Sequence, residues 1–172
     1  MTALAAPRAS SLTLTFAALV GAAVAAGVAV LAVPDLGHSL YPHPPRPTLA
    51  RDTGAALGLL AHNAPVALWP LALLALGWHE IPVARRVGDG LIGAQLTVHG
   101  ATVGAALATW PELVPWLPHL PAEYAAIALP AGAWIAARRR GGGGRHELAL
   151  TAALVLVLLA LAAALETWAV PS

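Results

Sequence analysis

Residues Leu148 to Trp168 read LALTAALVLVLLALAAALETW, and this stretch decides the fold. Leu, Val and Ala fill it almost throughout, and Glu166 is its one charged residue. A helix of about 20 apolar residues crosses a bilayer, at about 1.5 Å of rise per residue. In hydrocarbon such a segment must be helical, because a helix satisfies its own backbone hydrogen bonds. Four more stretches share this character: Leu12 to Val33, Thr53 to Trp78, Val87 to Trp110 and His119 to Ala137. The chain is therefore expected to be all-α, a polytopic membrane protein built as a bundle of about five transmembrane helices.

Composition agrees. The chain has 172 residues, 59% hydrophobic and only 10% charged, where soluble domains carry about 25% charged residues. Mean hydropathy is +0.75. The solvent for such a chain is lipid, so the bilayer of the cell (plasma) membrane is its first expected partner. A net charge of +1 gives no basic field for nucleic acid, and none is expected to bind. Cys is absent, which excludes disulfides, thiolate metal ligands and a Cys nucleophile. The first apolar run is longer than the roughly 7 to 15 residues of a cleaved signal core, so it reads as a retained helix.

The joints are marked by proline, glycine and arginine. Pro34 to Asp52 holds five prolines and reads as a loop too broken for a helix. The chain then divides into residues 1–52, one transmembrane helix plus a Pro-rich extracytoplasmic loop, and residues 53–172, a four-helix membrane core. Ile81 to Arg86 and Pro111 to Pro118 read as short connections. Arg138 to His146, with four glycines inside, reads as a flexible basic hairpin. Arg8, Arg85, Arg86, Arg138, Arg139, Arg140 and Arg145 all fall on one side of a five-helix path, against Arg46 and Arg51 on the other. The positive-inside rule then puts the N-terminus in the cytoplasm and the C-terminus outside. Trp78, Trp110, Trp116, Trp134 and Trp168 lie near helix ends, where interfacial anchors belong.

Ionisable residues inside these spans are costly, and so they attract a functional reading. His62 lies about 14 Å along the second span, and His99 about 16 Å from the outer end of the third. His119 opens the fourth span, Glu123 follows one turn later, and Glu166 ends the fifth. Topology thus gathers polar groups from four helices in the outer half of one bundle. His119 and Glu123 share a helix face, as do Gln95 and His99. Pro65 and Pro70 cannot donate to the carbonyls of Ala61 and Val66, so both acceptors are left free and a kink is expected there. The pair Gly100 and Gly104 lets a neighbouring backbone approach closely.

Two imidazoles and one or two carboxylates form a zinc-like ligand set. His62, His119, Glu123 and Glu166 are candidate ligands for zinc or another divalent metal, with Glu123 and Glu166 as candidate catalytic groups. Asn63, Gln95 and His99 would support them. A metal-bound water would then give hydrolytic chemistry. The plain alternative is a buried polar network that fixes helix packing. His79-Glu80 and His146-Glu147 lack the second His of a zincin motif and sit at cytoplasmic helix ends, where solvated residues are expected.

The segment Leu117-Pro118-His119-x-x-x-Glu123-x-x-Ala126 and the closing Ala163-Ala164-Leu165-Glu166-x-x-x-x-Pro171 resemble the stage II sporulation protein M family of integral membrane proteins. His62-Asn63 and His99-Gly100 with Gly104 are similar to further sites of that family. The resemblance covers about Gly54 to Pro171. It departs at Leu120-Pro121, where the family has Gly after the His, and at His99, where Asn is more usual. What the resemblance implies is an inner-membrane scaffold or partner in cell-envelope or peptide processing, working with membrane or envelope proteins or a peptide substrate. An intramembrane metal-dependent hydrolase or peptidase is the second expectation, and a proton-coupled transporter the third. The absence of a visible repeat argues against the third.

Overall fold

A computed structural model describes residues 9–33, 35–43, 51–140 and 144–169. Arg8, Arg46, the prolines at 34, 44, 45, 47 and 171, and Gly141 to Gly143 lie outside the described residues. The described chain is all helical: α1 (Ala9–Ala32), α2 (Leu36–Leu40), α3 (Thr53–Ala75), α4 (Pro82–Thr109), a 3-10 helix (Pro111–Trp116), α5 (Leu120–Arg140) and α6 (Arg145–Ala164), which continues as a π turn (Leu165–Ala169). Five of these helices are long and apolar enough to cross a membrane.

Element boundaries follow local chemistry. Asp52 caps α3 by accepting from the Ala55 amide at 2.8 Å. The helix stops at Ala75, before the expected Trp78, because Gly77 adopts a left-handed φ of 74°. The Gly77 amide then donates to the Leu74 carbonyl and the Trp78 amide to that of Leu73, both at 3.0 Å, which closes a Schellman turn. Helix α4 starts at Pro82, where a missing N–H costs nothing and φ is already helical. Arg85 and Arg86, expected in a connection, are therefore part of α4. The Pro-rich loop also departs from expectation, since α2 forms between its prolines, after Asp35 turns the chain at a φ of 62°. The Pro111 to Pro118 connection likewise contains the 3-10 helix.

Helix α5 is the hub. Within its most apolar window 61% of residues are buried, against 17% for α1. It packs against α1, α3 and α6 and touches α4, while α1 packs on α4 and α3 on α6. The least apolar of the five spans is the most enclosed. Leu14, Val20, Val24, Val28, Val98, Leu154 and Val157 instead stand exposed on the outer helices. A polar solvent would not tolerate that belt, and a bilayer would. The protein has the build of a multi-pass membrane protein.

The α1–α4 pair is made by small residues. A Cβ on Gly100 would overlap the Leu19 carbonyl, and one on Gly104 the Ala23 carbonyl. One on Gly27 would lie 3.3 Å from the Gly104 carbonyl. These contacts advance together along both helices, so α1 and α4 are parallel and their backbones nearly touch. The partner for which Gly100 and Gly104 make room is thus α1. In its first turns α1 runs antiparallel to α5, and the same face of α1 meets α4 further along. Leu12 meets Gly132, the Thr15 hydroxyl donates to the Ala128 carbonyl at 3.2 Å, and Phe16 meets Tyr124 edge-on. Helix α2 is strapped across the end of α4. Gly37 sits on Thr109, the Trp110 indole donates to the Tyr41 carbonyl at 3.3 Å, and His38 packs edge-on against Trp110.

Helix α3 remains a single helix through Pro65 and Pro70. The carbonyl of Val66, freed by Pro70, accepts from Gln95 Nε2 of α4 at 2.7 Å. A side chain from one helix thus repairs the hydrogen bond missing in another. Gln95→Leu should lower stability by about 1 kcal/mol, within the range for interhelical hydrogen bonds in bilayers. Adding Pro70→Ala, which restores the backbone donor, should recover most of that loss. Unfolding of the single and double variants in detergent checks this, and equal losses in both would contradict it.

Candidate functional site

At one end of the bundle, the start of α5 meets the end of α6. The His119 carbonyl accepts from the amides of Ala122 and Glu123, both at 3.1 Å, which fixes the first turn of α5. That turn sets the imidazole and the Glu123 carboxylate on one face. His119 Nε2 lies 3.9 Å from Glu123 Oε2, too long for a hydrogen bond and within ion-pair range. The His119 side chain is 11% exposed and that of Glu123 22%. Glu166, half-buried in the π turn that ends α6, interacts electrostatically with both His119 and Glu123. A protonated imidazole at this place would attract either carboxylate, and the two carboxylates would repel each other. A π turn widens the helix and re-aims its side chains, and such turns are frequent at functional sites.

Of the four candidate ligands, the structure sets His119 beside Glu123, with Glu166 within electrostatic range of both. His62 is exposed on α3, and Asn63 beside it is half-buried. Among the described residues, no group of three or more His, Asp or Glu side chains is placed to hold a metal ion. Gln95 reaches from α4 to α3, and His99 lies one turn beyond it on α4. His99 Nδ1 lies 3.1 Å from the Gln95 carbonyl, which can only accept, so this nitrogen is the donor.

Two features were not anticipated. Thr167, next to Glu166, is 1% exposed, and its hydroxyl has no hydrogen-bond partner among the described residues. The same holds for His119 Nδ1. Polar atoms left unpaired in a buried place mark a site under tension between packing and polarity. The Tyr124 hydroxyl is also unpaired, and its ring packs edge-on against Phe16 of α1.

The other end of the bundle carries the arginines and a second polar junction. Asp89 Oδ1 accepts from the Trp134 indole at 2.8 Å and from Arg138 at 2.7 Å, tying α4 to α5. Gly88 makes room for this indole, since a Cβ there would strike the ring. Trp134 is only 1% exposed, so it is a core residue and not the interfacial anchor expected from its position. The indole goes inward because Asp89 offers its N–H an acceptor there. His79 is similarly buried in the α3–α4 turn, where a solvated residue was expected, with Nε2 3.6 Å from the Glu80 carboxylate.

Comparison with known proteins returns nothing: no family model, curated protein or solved structure matches the chain.

Proposed function

We propose that the protein is a multi-pass scaffold or partner protein of the plasma membrane, in which His119, Glu123 and Glu166 clasp α5 to α6. The observation that carries this reading is the His119–Glu123 pair at the start of α5, with Glu166 at the end of α6 within electrostatic range of both. The two short segments that resemble the stage II sporulation protein M family supply these three residues, and they lie far apart in the sequence. Their encounter supports a common purpose for both segments, and packing accounts for it without any chemistry. On this reading the arginine end faces the cytoplasm and the clasp lies toward the outer surface, as the arginine distribution requires. Exposed apolar faces on α1, α4 and α6 then meet lipid, and the loops meet membrane or envelope partners.

A second reading keeps the same residues as an intramembrane metal-dependent hydrolase. It is favoured by the unpaired Nδ1 of His119, a free ligand nitrogen on the imidazole that neighbours Glu123. Elemental analysis separates the two readings. Purified in detergent and dialysed against zinc, the wild type and His119→Ala should carry equally little, substoichiometric metal. Stoichiometric zinc in the wild type that His119→Ala loses would overturn the scaffold reading in favour of the hydrolase.

A further inference from the structure

We propose that the arginine end of the bundle, formed by the start of α4, the end of α5 and the start of α6, is a headgroup site for anionic glycerophospholipid. Three consecutive guanidiniums close α5, and they are not equivalent. Arg138 is held by Asp89 at 2.7 Å and Arg140 by Glu147 at 2.9 Å. Arg139 stands between them, exposed, with no carboxylate partner among the described residues. Arg145, which opens α6, and Arg86 in the first turns of α4 are exposed and unpaired in the same sense. Arg85 precedes Asp89 by four positions, so it lies on the same face of α4, one turn closer to this end.

The balance is one-sided. Arg85, Arg86, Arg138, Arg139, Arg140 and Arg145 face Glu80, Asp89 and Glu147 as the acids of this end. Two of those three acids are already engaged by arginine. The first turn of α4 adds to the same field, because no side chain caps its free N–H groups. Orientation alone requires arginines on this side and does not require them to be free. Carboxylates that neutralise Arg138 and Arg140 while sparing their neighbours leave a positive patch at headgroup depth. Basic groups between transmembrane helices at that depth recruit anionic lipid headgroups, through the phosphodiester and its charge.

Native mass spectrometry of the full chain tests this in micelles doped with equal phosphatidylglycerol and phosphatidylcholine. Wild type should retain phosphatidylglycerol in preference. Arg86→Gln, Arg139→Gln and Arg145→Gln, combined, should weaken that preference by about fivefold per arginine removed. These three residues are exposed, so circular dichroism should be unchanged and loss of fold is separable from loss of lipid. Equal retention of both lipids by wild type would overturn the proposal, as would an unchanged preference in the triple variant. A third arm adds sodium phosphate or glycerol 3-phosphate. Displacement of the lipid by either at low millimolar concentration would show that the patch reads free phosphate, and would overturn the lipid assignment.

Discussion

Gly104→Leu should collapse the contact between α1 and α4 and lower stability by about 3 kcal/mol, at the upper end for overpacking. The reason lies in backbone distance. A single added carbon on Gly104 already overlaps the Ala23 carbonyl, and the obstacle is main chain, which cannot rotate away as a side chain would. Gly100→Leu should act in the same direction, because the Leu19 carbonyl stands in its path. Gly21 and Gly93 are controls. A Cβ on either meets nothing within 4 Å, so substitution there should change stability little. Denaturation by SDS in mixed micelles would measure the differences. Loss at Gly21 equal to that at Gly104 would mean that helix propensity, and not the α1–α4 approach, sets the cost.

His119→Ala should be the next most damaging change, at about 2 kcal/mol. Breaking a fully buried ion pair costs about 3 to 5 kcal/mol, and the partial exposure of Glu123 reduces the figure here. The loss has two parts. The imidazole's attraction to the carboxylates disappears, and the repulsion between Glu123 and Glu166 is no longer offset. Glu166→Gln placed on top of His119→Ala should therefore recover part of the lost stability, by removing one of two like charges. A lone packing role for His119 predicts no such recovery.

The sequence carried the architecture further than the site. Length and apolarity sufficed for five spans, because a bilayer imposes both on any helix that crosses it. The vacant Val66 acceptor was also legible, since Pro70 removes a known donor. Its partner Gln95 was not, because nothing in sequence says how two helices are rotated against each other. Gly100 and Gly104 announced a close neighbour in the same way, and only packing identifies it as α1. The same ignorance of rotation explains His62. Depth along the second span set it level with His119, yet it points away from the bundle. Trp134 sits where an interfacial anchor would, and Asp89 draws its indole inward. Asp89 itself lay too close to a span end to attract notice, and Thr167 and the π turn gave no local signal.

A double-mutant cycle between His119 and Glu166 tests the clasp most directly. Unfolding free energies are measured in the same micelles for wild type, His119→Gln, Glu166→Gln and the double variant. Residues in one network show coupling of about 0.5 to 3 kcal/mol. The clasp predicts that the double variant loses about 1 kcal/mol less than the sum of the two single losses. Additivity to within about 0.3 kcal/mol would contradict it, and the ends of α5 and α6 would then be neighbours without being joined.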